Sequence, residues 1–519
     1  LVDGLINKVK VFGLHFATLD VRQDSRVHTQ LIDSISQTCD QLPSDYASLT
    51  EAEKIKALLH IQGPVDSSTL SGELEKDAIE TIRVIKTIQQ FNGEEGCNRY
   101  IISQCNSALN VFEVFGLFLL SGWKKEEITA DIIPLFETID DLKQAASVMR
   151  MLYDNPDYMS HLTRRQHTQT IMLGFSDGTK DGGYMMANWS IYKAKEELTT
   201  ISKEYGIDVI FFDGRGGPPA RGGGKTHKFY ASMGKNISNR EIQLTIQGQT
   251  VSSNFGIIDS AQYNIEKLIH AGISNNIFSL HEETFTNEEE ALMQQIAEIS
   301  YHVYTDLKNH PYFLDYLSHA SPLRFYSETN IGSRPAKRGG SSRLELKDLR
   351  AIPFVGSWSQ LKQNVTGYYG VGSALQELDK QGKLPAIKKL YQESKFFKTL
   401  LDNCEMSMMK CFFPLTAFLR KHPKYGELWE LIFAEYELTK KYLAVLSETS
   451  DLMTDYPVEQ VSIQMRERIV LPLLTIQQFA ITRVRKMEES LIESPHKATL
   501  GKLVMRCSFG IINAGRNSA

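Results

Sequence analysis

Residues 211–226 read FFDGRGGPPARGGGKT, an apolar run from Val209 to Phe212 that breaks into a loop with six glycines in a dozen positions. Glycine-rich backbone can bend its N–H groups around an oxyanion, while Arg215, Arg221 and Lys225 supply positive charge, so phosphate or carboxylate is the ligand to expect. A basic surface loop without a ligand is the alternative. The end of the stretch, PARGGGKT, is not a nucleotide P-loop: that motif needs glycine five residues before the Gly-Lys pair, where Pro219 stands, and proline removes an N–H from the cradle. Two carboxylates, Glu137 and Asp177, each follow an apolar run directly. Such a pair, completed by water and substrate oxygens, suits Mg²⁺ or Mn²⁺, although most acids at strand ends are helix caps or solvated. Lys180 and Asp181 lie close by in GFSDGTKDGG, either as ligand contacts on mobile backbone or as an ion pair on a turn. A second basic cluster holds Arg334, Lys337 and Arg338, with Arg343 and Arg350 beyond. It lacks the interleaved aromatics of a nucleic-acid surface.

These residues share a setting: each apolar run ends in polar, chemically capable side chains. The runs are Phe16–Val21, Arg99–Ser103, Asp131–Phe136, Thr170–Phe175, Asp208–Phe212, Ile242–Ile246 and Ala351–Val355. Helical patterns separate most of them, such as the segment that carries Met185, Trp189 and Tyr192 on one face. Strands alternating with helices, with chemistry at the strand ends, predict an α/β, predominantly helical chain built on an incomplete (β/α)8 barrel whose site lies at the C-terminal rim. Seven strands are expected here, and an eighth upstream of Leu1. Residues 1–372 would form the barrel portion with a helical insertion at about 260–330, and 373–519 a C-terminal helical region. The start, around Leu5, Ile6, Val9 and Phe12, has helical spacing.

Composition narrows the function. With 57 basic against 62 acidic residues and a formal net charge of −5, the chain has no global attraction to nucleic acid, and any anion site must be local. Six cysteines without CxxC spacing predict neither a disulfide framework nor a zinc site and fit a reducing, cytoplasmic setting. No apolar run approaches the roughly 20 residues of a membrane helix. The first residues carry no signal pattern and no initiator Met, so the expectation is a piece of a longer protein.

Seven segments occur in an order that resembles the phosphoenolpyruvate carboxylase family: LDVRQDS (Leu19–Ser25), PLFET (Pro134–Thr138), GFSDGTKDGG (Gly174–Gly183), GRGGPPARGGG (Gly214–Gly224), GSRPAKR (Gly332–Arg338), LRAIPF (Leu349–Phe354) and RNSA (Arg516–Ala519). The resemblance runs over the whole chain and corresponds to the C-terminal three-fifths of that enzyme. It implies conversion of phosphoenolpyruvate and bicarbonate to oxaloacetate and phosphate with Mg²⁺ or Mn²⁺, and a homo-oligomer, usually a tetramer. Carried over by motif, Glu137 and Asp177 would be the metal ligands. Arg22, Arg334 and Arg350 would surround the substrate phosphate and carboxylate, Lys180 would lie near bicarbonate, and Arg215 and Arg221 would come from the glycine loop. An inhibitory site for aspartate or malate is implied as well, formed by Arg221, Lys410, Arg466 and Asn517.

Two departures stand against this pattern. The family's FHGRGG is FDGRGG here, with Asp213 in the histidine position. A carboxylate only accepts hydrogen bonds and would repel carboxyphosphate, so Asp213 is expected to pair with an arginine, to be held protonated, or to alter the chemistry. The TAHPT segment, whose histidine assists carboxylation, has no counterpart in these residues. That predicts negligible carboxylase activity for them alone. The alternative is a catalytically impaired, anion-binding regulatory homologue of the same fold.

Overall fold

The computed structural model describes residues 1–70, 72–246, 249–278, 285–328, 345–346, 349–490 and 495–515. Six strands form one sheet in sequence order: β1 (Asp20–Asp24), β2 (Arg99–Ser103), β3 (Asp131–Phe136), β4 (Thr168–Leu173), β5 (Asp208–Asp213) and β6 (Ile242–Leu244). The pairings from β1 to β5 are parallel, with Asp24 opposite Ser103, Ile101 opposite Ile133 and Leu173 opposite Asp213. Parallel neighbours need a crossover, and helices supply most of each one. β2, β3 and β4 are buried at every position but the first, as expected of parallel strands covered on both faces. The result is a mostly helical chain around a curled parallel half-barrel, an incomplete α/β barrel with helical insertions.

Local chemistry fixes where strands stop. Asp24 ends β1 and caps the helix Ser25–Thr38 by accepting from the Arg26 N–H. Thr138 and Asp141 form a reciprocal capping box just beyond β3, which satisfies orphan N–H groups at the head of the helix Ile139–Tyr153. Gly174 heads the helix Phe175–Glu204 after β4. A Cβ there would lie 3.1 Å from the Glu137 Cα, tighter than nearly all real side-chain contacts, so glycine eases the close backbone approach.

The expected strands at Arg99–Ser103 and Asp131–Phe136 coincide with β2 and β3. The first begins later than expected, because Phe16 adopts φ 61° and is 76 % exposed in a turn. The seventh expectation is overturned: Ala351–Gln360 is a helix. Its proline, Pro353, sits in the first turn, where a missing N–H costs little. Phe354 and Trp358, one turn apart, are both fully buried. An apolar run enclosed on all sides has no period that separates helix from strand.

By contacts the chain divides into two compact units. The first comprises Leu1–Gly174, Lys193–Asp213 and Arg240–Gln243, and holds β1 to β5 with a sheet-face cluster of Ile101, Ile133, Leu135, Met172 and Phe212. The second comprises Phe175–Tyr192, Gly214–Asn239 and Leu244–Ala519. One of its cores gathers Phe313, Tyr316, Phe354, Trp358, Phe413 and Trp429. Among the described residues no helix is long and apolar enough to cross a membrane, and all six cysteines are free thiols.

Candidate functional site

In the first unit, the middle of β1 and the ends of β2 and β3 converge on Glu137, which is 1 % exposed. Its Oε1 accepts from Arg22 Nη2 at 3.1 Å, and its Oε2 accepts from the backbone N–H of Gln104 at 3.0 Å and from Gln104 Nε2 at 2.6 Å. Arg22, at the centre of β1, is aimed by a second donation from its Nε to Ser103 Oγ at 3.2 Å, and Ser103 ends β2. Asp141 accepts from the N–H groups of Glu137 and Thr138 and so fixes the turn that presents Glu137. The structure therefore brings together one expected metal ligand and one expected substrate arginine. Gln104 and Ser103 escaped the sequence reading. Gln104 reaches Glu137 because its φ is 55°, a left-handed backbone that no residue type announces beforehand.

At the end of β5, Asp213 is 0 % exposed and accepts from Lys195 Nζ at 2.7 Å. A lysine that no motif indicated thus meets the carboxylate in the family's histidine position.

In the second unit the glycine loop closes on itself. The Gly216 N–H donates to the Arg221 carbonyl, Gly223 N–H to that of Pro218 and Gly224 N–H to that of Gly217. Arg215 is buried and ties the loop: its Nε donates to the Gly222 carbonyl at 3.0 Å and its Nη2 to that of Gly223 at 2.8 Å, while its guanidinium lies 3.9 Å above the Phe229 ring. Arg221 turns the other way and donates to Ser176 Oγ at 3.2 Å. Burial pulls its pKa down to about 10 against the opposing charge of Asp177, so Arg221 and the second expected metal ligand are electrostatic neighbours. Lys180 Nζ donates to the Leu349 carbonyl, one residue before Arg350. Asp181 pairs with Lys308, which replaces the Lys180–Asp181 pair considered from sequence.

A cavity of about 400 Å³ opens on the loop's other side, lined by Arg215, Lys225, His227, Lys410, Glu459 and Arg466 among others. Two of the expected effector residues, Lys410 and Arg466, thus share one cavity with the loop, whereas Arg221 is not in its lining. Burial first, then the charges of Lys362 and Arg466, bring the Lys410 ammonium down to about 8, and Glu467 opposes the shift. Arg334 and Asn517 lie outside the described residues.

Comparison with known sequences points one way. A sequence model of the family described as phosphoenolpyruvate carboxylase matches residues 1–518. Proteins named phosphoenolpyruvate carboxylase from Trichormus variabilis and from Nostoc sp. are each 30% identical, over 99% of this chain and 54% of their own length. The chain therefore spans about half the length of the curated relatives it matches.

Proposed function

The chain belongs to the phosphoenolpyruvate carboxylase family, and we propose that its residues serve the carboxylation of phosphoenolpyruvate by bicarbonate to oxaloacetate and phosphate, with Mg²⁺ or Mn²⁺ as cofactor. The observation that carries this reading is the enclosed Glu137 carboxylate just past the C-terminal end of β3, held by Gln104 just past the end of β2 and by Arg22 from β1. That is the end of such a sheet at which substrates are handled.

The donor set fits the cation. Glu137 and Asp177 offer hard carboxylate oxygens of the kind Mg²⁺ and Mn²⁺ prefer. Two carboxylates completed by water and substrate phosphate are how Mg²⁺ is usually held. Bound by them, the cation would supply positive charge to the phosphate and to the developing enolate.

In the reaction, a bicarbonate oxygen attacks phosphorus and the bond from phosphorus to the enol oxygen breaks, giving carboxyphosphate and the enolate of pyruvate. Carboxyphosphate releases CO₂ and phosphate, the bicarbonate proton leaves on phosphate, and the enolate carbon forms the new C–C bond. Negative charge accumulates throughout, which is why guanidinium groups serve at fixed positions. Arg22, Arg334 and Arg350 would hold the phosphate and carboxylate, and Lys180 would orient bicarbonate. The glycine loop with Arg215 and Arg221 would exclude water from the labile intermediates. A dicarboxylate, aspartate or malate, would occupy the cavity at Lys410 and Arg466. By drawing Arg221 from Asp177, with Asn517 as a further ligand, it would bias the loop toward an inactive position.

Oxaloacetate and phosphate formed one to one by a polypeptide containing these residues, dependent on both bicarbonate and Mg²⁺, is the expected result. The second reading, a dicarboxylate-binding homologue that has lost catalysis, is favoured by Asp213 alone. Malate binding without any oxaloacetate formation would select it.

A further inference from the structure

Asp213 poses a chemical question. It ends β5 and precedes Gly214, so an ionised carboxylate stands at the root of a loop whose other residues suit anions. An uncompensated charge there would cost several kcal/mol to bury. The compensation comes from a residue no motif indicates. Lys195 lies on the helix Phe175–Glu204, and its side chain is 2 % exposed, against 0 % for that of Asp213, at 2.7 Å. Its neighbours on the buried face, Ile191, Ala194 and Leu198, follow core spacing, where a lysine has no place unless something answers its charge. The ammonium also lies 5.0 Å from the centre of the Phe211 ring, two residues before Asp213.

We propose that Lys195 is a positioning residue: as the buried counter-cation of Asp213 it fixes the end of β5 and cancels its charge, which allows an aspartate to stand where the family has histidine. The two residues then work as one unit, and neither can be changed alone. A histidine at 213 would face an ammonium with its own donor nitrogen, and a neutral residue at 195 would leave a buried carboxylate without its charge partner.

The inference rests on the carboxylase reading for its kinetic arm and not for its thermal arm. The experiment compares wild type with Lys195→Gln, Asp213→His and the double variant Lys195→Gln/Asp213→His, by thermal unfolding and by oxaloacetate formation between pH 6 and pH 8.5. Each single variant is expected to unfold roughly 10 °C earlier, as breaking a buried pair implies. Each should also lose on the order of 100-fold in kcat through misplacement at the rim. The double variant, whose amide and imidazole form a neutral hydrogen bond, recovers most of both losses. A merely structural pair would leave kcat alone at permissive temperature. Here, kcat of Lys195→Gln falls at permissive temperature while KM for phosphoenolpyruvate stays near wild type, and the double variant restores kcat. Additive thermal losses in the double variant overturn the pairing whatever the activity. Coupled thermal losses with kcat unchanged in the single variants overturn the positioning role. A wild-type polypeptide that contains these residues together with the TAHPT segment and still forms no oxaloacetate overturns the carboxylase reading, and coupled unfolding still upholds the pair.

Discussion

Glu137 shows what a single side chain must do to hold charge while enclosed. Its two oxygens divide three donors between them, Arg22 on one side and the backbone and side chain of Gln104 on the other. Charge-assisted contacts of this kind are about twice as strong as neutral ones. Glu137→Gln keeps the shape, removes the charge and turns a donor toward Gln104 or Arg22. If Glu137 holds the metal as proposed, phosphate release from phosphoenolpyruvate in the presence of bicarbonate and Mg²⁺ should fall about 10²- to 10³-fold, the size of loss found when one preorganised contact that stabilises a developing anion is removed. The unfolding midpoint should move by only a few degrees, because the Arg22 side chain is 31% exposed and can be solvated instead. Release at wild-type rates would remove Glu137 from the site. At this scale the sequence was a partial guide. Arg22 and Glu137 stood out by following apolar runs, but Gln104 did not, because its contact depends on a left-handed φ imposed by tertiary structure. Lys195 likewise reads as an ordinary helix residue until its 18-residue separation from Asp213 is closed by the fold.

In the glycine loop, glycines are needed for space as much as for backbone freedom. A Cβ on Gly223 would lie 2.0 Å from the Gly216 carbonyl oxygen and 2.4 Å from that of Gly217, so Gly223→Ala cannot keep the closed loop. The variant should bind malate at least tenfold more weakly by calorimetry and lose oxaloacetate formation in proportion. Its core should unfold within a few degrees of wild type, since the loop contributes only Ala220 to the hydrophobic clusters. Unchanged malate affinity would mean that the closed loop does not shape the cavity. Element boundaries were legible where alternation or turn chemistry was strong, as at β2 and β3. They failed where burial erased the period. Ala351–Gln360 opens on an apolar run that is buried almost throughout, so a strand and a buried helix look alike there, and only tertiary packing, with Trp358 against Phe313 and Tyr316, decides for the helix. The helix Val2–Phe12 formed as its spacing predicts, yet it buries none of its residues, which shows that amphipathic pattern and burial are separate facts.

Over the whole molecule the net charge is −5, and yet Arg215, Lys225, Lys410 and Arg466 line one cavity. Cations so gathered repel one another, and the strain is legible in Lys410, whose pKa falls from 10.5 to about 8 through burial and the charges of Lys362 and Arg466. A dicarboxylate held here as proposed would bind the charged ammonium, so binding would raise that pKa and take up a proton wherever the free site is neutral. The sign follows: affinity is complete below about pH 8 and declines above it. Malate keeps both carboxylates ionised from pH 7 to pH 9, so its own titration does not interfere. Over that interval its dissociation constant should rise about tenfold, as a single group titrating at the centre requires. The stability of the whole chain reports the same event, since malate at 100 times its dissociation constant should add about 2.7 kcal/mol to unfolding at pH 7. At pH 9 the same malate concentration should add about 1.4 kcal/mol, less by the tenfold loss of affinity. Lys410→Met should bind weakly at both pH values, with the tenfold change abolished. Equal malate affinity at pH 7 and pH 9 in the wild type would show that the ammonium of Lys410 does not face the ligand, and would remove the effector role from this cavity.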